Sequence, residues 1–499
     1  MPEDRKQRLL RRHRRDKRFL FATLVCALAG LGAWVGFAWI LPLLVLFWVA
    51  HEAWFSDHLF YAPDVDYAYR FGAEAETLPV TLANGRLALV DGALLHADDT
   101  LLLAVTVRSA WTGRFFDPAV MIVADACDVD GNCLSHPQSP SRDIQTFERG
   151  ARGVRYLNLT GLAAALQTNG LRLAGWHCRL EGAPRLLRVR HPDYRRKRLL
   201  VVAPHADDAE LAAFGLYTQA REAWIVTLTA GEVEAEHYRR MGFDPVGASR
   251  LKGRLRAWDS VAVPLWAGVP VERAIQLGYF CLQLPVMRAR PAEAICSREA
   301  GMCDTRPFRR FNRFRLASDE NGIPSWNSLV ADLREIILTA KPEVIVLPHP
   351  LFDPHPDHVA AVAAVREALA GSAWRPETLL HYANHLHDND RWPMGEAHAG
   401  VALPPLVENS APLLPWVLPL GRDIQTDKAM ALAMMHDLIT PLSRKKRLRR
   451  LLQRWLAGRR HPPCGAHEFF RKAVRRHELF WVESCENPVS GRARNQDNP

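Results

Sequence analysis

A chain of 499 residues with a formal net charge of +10 is long enough for two or three domains, each able to bury a core. The charge is uneven: residues 1–18 hold nine Lys/Arg against three acids, residues 444–460 hold nine Lys/Arg and no acid, and the remainder sums to −5. A basic excess confined to two segments argues against a nucleic-acid-binding protein, which needs a basic face on the folded domain.

Residues 19–50 contain no charged side chain. A bilayer core needs roughly 20 apolar residues in helical form, so this run is long enough to span it. It is too long for a secretory h-region, and no convincing cleavage site comes after it. Leu24-Val25-Cys26 is a poor lipobox, with valine where a small residue is needed. We read a retained transmembrane anchor over 19–56, behind a basic cytoplasmic tail over 1–18. Glu52, Asp57, Asp64 and Asp66 come next, and no Lys/Arg appears before Arg70. The positive-inside rule then predicts a single-pass inner-membrane protein with the rest of the chain in the periplasm. The alternative is a two-span hairpin turning near Gly30–Gly36, which returns the chain to the cytoplasm.

Residues 57–190 read as an all-β, sandwich-like domain. Short strand-like runs at 86–90, 101–107, 153–159 and 171–176 are punctuated by Asp91-Gly92 and Asp98-Asp99. A spacer holding the next domain off the membrane is the simpler reading; carbohydrate binding is the other. Of nine cysteines, Cys26 lies in the anchor. Cys127 and Cys133 flank a turn-like segment, and Cys296 and Cys303 are close in sequence. Disulfides there suit an extracytoplasmic compartment, whereas the alternative is reduced, buried thiols. There is no CxxC pair for a structural zinc finger.

An Arg-rich linker over 184–198 leads into a different pattern. Residues 199–203 read as a buried strand, 208–222 as a helix and 223–229 as a strand; 327–340 read as a helix and 343–347 as a strand. Alternation of this kind predicts an α/β domain over 196–483 built on a parallel sheet. Residues 275–325 interrupt it as an inserted lid or rim. Residues 444–460 place Leu448, Leu451, Leu452, Trp455 and Leu456 at helical spacing among Arg/Lys, which describes a basic amphipathic helix. It either meets anionic lipid head groups or packs on the domain with its basic face in water. Residues 484–499 form a C-terminal tail.

Two histidine–aspartate clusters fall at predicted strand ends, where ligands of parallel α/β sheets bind. The first is Pro204-His205-Ala206-Asp207-Asp208-Ala209-Glu210. The second is His349-Pro350-Leu351-Phe352-Asp353-Pro354-His355-Pro356-Asp357-His358. Together they can give two imidazoles and a carboxylate to one metal ion, with a further carboxylate and imidazole beside it. That is the inventory of a hydrolytic zinc centre. His349 has no partner at ligand spacing and reads as structural. His381, His385 and His387 lie in a polar stretch and read as solvent-exposed or rim residues. No cysteine is close to either cluster in sequence, which disfavours a thiol nucleophile, and no Gly-rich phosphate loop is present.

The first cluster and His355-Pro356-Asp357-His358, with Thr227-Leu228-Thr229-Ala230-Gly231-Glu232 between them, resemble the PIG-L / LmbE-like zinc N-deacetylases. That family includes deacetylases of N-acetylglucosaminyl-phosphatidylinositol, of mycothiol and bacillithiol precursors, and of chitooligosaccharides. The resemblance covers roughly 198–385 and reaches towards 483. It implies a Rossmann-like parallel sheet and one Zn2+ held by His205, Asp208 and His358. It makes Asp207 the general base and His355 the imidazolium that stabilises the tetrahedral intermediate. Ala206 stands where the family has proline, which loosens a backbone constraint and removes no ligand. The family's Arg-x-x-Glu helix is not clean in residues 250–259; Arg250 and Arg254 are candidates without an assigned role. The implied activity is removal of acetyl from an N-acetylated amino sugar in a glycan or glycolipid near the membrane. The alternatives are an inactive glycan-binding envelope anchor and an amidase acting on thiol conjugates.

Overall fold

The computed structural model describes residues 2–56, 64–90, 92–124, 141–386, 389, 391–406, 411–439, 441–459 and 468–485. Cys127, Cys133, His387 and nearly all of the C-terminal tail lie outside the described residues.

The charge-free run is not one continuous rod. Helix Pro2–Val35 ends at Gly36, whose φ of +107° suits glycine alone. A single turn Phe37–Trp39 leads to a second apolar helix Ile40–Ala50, which closes in a π-helical turn His51–Phe55. One window, Lys17–Trp34, is long and apolar enough to cross a membrane; Ile40–Phe55 is a shorter apolar helix.

Eight antiparallel strands come next: β1 (Ala75–Ala83), β2 (Arg86–Leu89), β3 (Thr100–Ser109), β4 (Ala119–Ala124), β5 (Ser141–Thr146), β6 (Arg152–Asn158), β7 (Leu171–Trp176) and β8 (Cys178–Val189). Their order is β5-β4-β7-β2-β1-β8-β3-β6. β1 belongs to both halves of the array: its first residues pair with β8 and its last with β2. The halves close on one core that includes Leu78, Leu101, Leu103, Val120, Ile122, Leu157 and Leu173.

β3 explains how this module sits. Leu101, Leu103, Val105 and Val107 face the module's own core. Leu102 and Ala104, on the opposite face by the two-residue period, join a second core with Phe352, Trp392, Val401, Leu403, Leu479 and Trp481. Strands buried on both faces read as unbroken apolar runs. The module therefore shares a core with the α/β domain, and the picture of a spacer on a linker does not hold. Polar ties cross the same boundary: Asn158 donates to Val401 O (3.1 Å), Gly400 N donates to Asp143 (2.6 Å), and Arg391 pairs with Asp117.

The second sheet comprises β9 (Arg198–Ala203), β10 (Glu222–Thr229), β11 (Ala274–Tyr279), β12 (Val344–Pro348), β13 (Thr378–Tyr382), β14 (Pro415–Pro419) and β15 (His477–Ser484). Its order is β11-β10-β9-β12-β13-β15-β14. The first five strands run parallel, and β15 is antiparallel to both its neighbours. Helices cover both faces. Leu199 and Val201 pack with Phe214 and Leu432 on one side; Leu200 and Val202 pack with Leu333, Ile336 and Ala364 on the other. From β9 the chain winds outward to β10 and β11, then returns to place β12 on β9's other side. That reversal opens a crevice at the C-terminal ends of β9 and β12.

Candidate active site

His205 comes just after β9, and Asp208 opens the helix Asp208–Tyr217. His355 caps the helix Pro356–Ala370, and His358 lies one turn inside it. The two strand ends are adjacent, so both clusters reach one point from opposite sides. The structure brings His205, Asp208, His355 and His358 together, with Asp207 next to Asp208 in the chain.

Three donor atoms converge. His205 Nδ1 and His358 Nε2 each lie 3.1 Å from the same oxygen, Asp208 Oδ2, and 3.3 Å from each other. Edges of this length match one face of a tetrahedron whose centre is about 2 Å from each corner, the bond length zinc prefers to nitrogen and oxygen. The far side of each imidazole meets a carboxylate. His205 Nε2 is 3.3 Å from Asp357 Oδ2, and His358 Nδ1 is 3.0 Å from Asp353 Oδ2. Such partners fix the tautomer that leaves the other nitrogen free for a metal. Asp357 is held by Leu282 N–H (2.7 Å); Asp353 is held by the N–H groups of Asn384 (2.8 Å) and His385 (3.2 Å). Asn384 Nδ2 also donates to Asp208 Oδ1 at 2.9 Å. Asp208, Asp353 and Asp357 are all buried, a concentration of negative charge that a divalent cation relieves. The residues present fit a zinc ion.

The electrostatics come from this packing. Burial works against charge on His358, but Asp208 and Asp353 outweigh it and push the imidazole up to about 9. Burial likewise favours the neutral Asp208 carboxyl, and the His358 and His205 rings overcome it and hold Asp208 well below its ordinary range. His355 goes the other way: burial, then His205 and His358 beside it, bring it down to about 3. Its Nδ1 accepts the Asp357 N–H at 3.3 Å, which assigns the proton of the neutral ring to Nε2.

Asp207 is gripped by a residue that sequence spacing does not pick out. Arg256 Nη2 is 3.0 Å from Asp207 Oδ1, while Nη1 is 2.6 Å from Asp437 Oδ2. The arginine lies over Gly231: a Cβ there would meet its Nε at 2.3 Å, and Gly231 has a φ of +64°. Arg250 instead holds the inserted segment through Ala300 O (2.8 Å), and Arg254 is exposed. Glu232 is buried and accepts Cys281 N–H (3.1 Å) and Ser297 Oγ–H (2.8 Å), so it fastens the insert to the site. The insert carries the Cys296–Cys303 disulfide.

The structure bears on three of the expectations. Cys281, just beyond β11, is buried within metal-binding range of His205 and Asp357, so a thiol does lie at the site. His385 is half-buried with its ring 5.1 Å from that of His358 and 5.5 Å from that of His355. His381 is buried between Pro348 O (3.1 Å) and Glu483 (2.8 Å), not in solvent. His349 is structural: its Nδ1 accepts Leu351 N–H at 3.1 Å and shapes the loop to Asp353. Phe352 in that loop stacks on Trp481 with ring centroids 4.4 Å apart, and Tyr69 flanks Phe352 from the β module.

Residues 200–369 match the family described as PIG-L, GlcNAc-PI de-N-acetylase, which suggests a deacetylase-type hydrolase. No curated protein matches the chain. Among solved structures the chain is similar to GalB, the 4-carboxy-2-hydroxymuconate hydratase from Pseudomonas putida KT2440. The identity is 14% over 60% of this chain and 98% of that one, with a TM-score of 0.26. A likeness of that degree bears on neither fold nor function.

Proposed function

From the PIG-L domain at residues 200–369, we propose that this chain is a membrane-anchored, zinc-dependent N-deacetylase. Its substrate is an N-acetylated amino sugar in a glycan or glycolipid. The observation that carries the reading is the triangle of His205 Nδ1, Asp208 Oδ2 and His358 Nε2, with a carboxylate behind each imidazole. The order-reversing parallel strands support a Rossmann-like arrangement for the catalytic domain over 196–483, with the β domain over 57–190 as a separate unit of sequence.

His205, Asp208 and His358 would hold the zinc ion, which when bound would supply the Lewis acid that acidifies water and polarises the amide carbonyl. Arg256 occupies Asp207 Oδ1, which leaves Oδ2 as the oxygen that can act as base. Asp207 Oδ2 takes the proton of the attacking water as its oxygen bonds to the acetyl carbon. His355, a neutral ring whose Nδ1 is taken up by the Asp357 N–H, donates its Nε2–H to the carbonyl oxygen as negative charge builds there. Asp207 then delivers its proton to the departing nitrogen. The C–N bond breaks, and acetate and a free amine leave.

The apolar N-terminal helix and the basic residues before it support anchoring at the inner membrane. The Cys296–Cys303 disulfide favours the periplasmic side over the cytoplasmic one. The test is acetate release by the full-length protein from a panel of N-acetylglucosamine glycans and glycolipids. Release from at least one class, abolished by chelation and restored by zinc, is expected. Zinc-independent release contradicts the metal's role.

A further inference from the structure

The basic amphipathic helix Arg444–Leu456 does not simply pack on the catalytic domain. One side is held: Gln453 is buried, and Ala457 just beyond the helix is buried with it. Its middle docks on the end of the second apolar helix, where Arg449 Nε meets Glu52 Oε2 at 2.5 Å and Gln453 Nε2 donates to Ser56 Oγ at 3.2 Å. Its other end abuts the β module. Gly458 lies against the Phe116 ring, and Arg459 pairs with Asp117 at 4.0 Å. The helix therefore bridges the end of the second apolar helix and one tip of the β module. At about 1.5 Å per residue it is about 20 Å long.

The outward side of this bridge is unusual. Leu448, Leu451 and Trp455 are 44%, 50% and 77% exposed. Arg444, Lys445, Lys446, Arg447 and Arg454 are exposed around them. The module tip continues the pattern with Trp111, Phe115 and Trp176, which are 72%, 42% and 56% exposed. Trp111 packs edge-on to Phe115, while Trp176 and Phe116 both stack on His177. Exposed Trp and Phe beside Lys/Arg, with no acid in residues 444–460, suit the boundary between acyl chains and anionic head groups.

We propose that the helix Arg444–Leu456 and the Trp111/Phe115/Trp176 tip form one platform that lies on an anionic phospholipid surface, continuous with the apolar N-terminal helices. It fixes the catalytic domain against the bilayer at two separate points. The proposal rests on the reading that the N-terminal helices enter a membrane, and it is independent of the chemistry at the zinc site.

The test places benzoylphenylalanine singly at Leu31, Trp176, Leu338, Leu451 or Trp455 in the full-length protein. Each form is reconstituted in nanodiscs of phosphatidylcholine alone or mixed with phosphatidylglycerol, then irradiated. Leu338 is the exposed control on the helix Trp326–Ala340. Positions 451, 455 and 176 are expected to label lipid well above position 338, more so with phosphatidylglycerol. Lys445→Glu combined with Lys446→Glu and Arg447→Glu is expected to cut that labelling at least about fivefold. Labelling at 31 with none above the control at 451, 455 and 176 overturns the platform and leaves the anchor standing. No labelling at 31 overturns both. Acetate release from the same discs reports the deacetylase reading separately.

Discussion

Asp353→Asn tests whether the carboxylate behind His358 tunes the metal site. Asp353 Oδ2 sits 3.0 Å from His358 Nδ1, and both side chains are fully buried. Asp208 and Asp353, working against burial, carry His358 from 6.5 to about 9. That rise corresponds to about 3 kcal/mol of net attraction to the two carboxylates. Loss of a carboxylate that orients a metal-binding imidazole costs about ten- to a hundredfold in metal affinity, and about tenfold is expected here because asparagine keeps the shape and removes the charge. Asparagine has the same shape and keeps an oxygen for the N–H groups of Asn384 and His385, so the loop should hold. The assay is competition for zinc against a chromophoric chelator at fixed pH, with circular dichroism to confirm folding. An affinity within about twofold of wild type refutes the reasoning.

The same geometry has other consequences. Gly231→Ala adds a Cβ 2.3 Å from Arg256 Nε at a φ of +64°. It should push Arg256 off Asp207 and lower kcat about a hundredfold, the scale of a misplaced catalytic group, with zinc content unchanged; wild-type turnover would show that Arg256 does not position Asp207. Burial tends to raise Asp117, but Arg391, Arg459 and Arg149 hold it at about 2 against an ordinary 3.8. A depressed carboxyl contributes stability that is present above pH 3.8 and lost as pH falls through about 2, here about 2 kcal/mol. Asp117→Asn should therefore lower the urea midpoint at neutral pH, and the gap should narrow towards pH 3; a gap that stays constant with pH contradicts the assignment. Zinc removal should lower the thermal midpoint and zinc addition restore it, as for any ligand bound only by the folded state; a midpoint indifferent to zinc speaks against the site.

Much of the catalytic sheet is legible in the sequence because β9 and β12 are buried on both faces, which leaves short apolar runs ending at the two His–Asp clusters. His205, Asp208 and His358 are legible for a related reason: each lies within four residues of a strand end or helix start, so local spacing carries the geometry. Spacing carries nothing that is assembled from distant segments. Arg256 comes from the middle of the helix Pro245–Trp266, and Cys281, Asn384 and His385 come from loops beyond other strands. Only the sheet order brings them together. Asp353 lies inside the second cluster, yet its role depends on which nitrogen of His358 faces inward. β3 carries its own hint: residues 101–105 are apolar on alternate and intervening positions alike, which a module with one solvated face would not show. In the charge-free N-terminal run, the break at Gly36 is local and visible, but hydropathy averages over it.

The proposed chemistry turns on Asp207 acting beside a metal it does not bind. Asp207→Asn should therefore be measured for zinc content and for acetate release in one preparation. The prediction is one zinc per chain, as in wild type, with acetate release reduced by about a hundredfold or more. Zinc retained with wild-type acetate release would contradict the central claim.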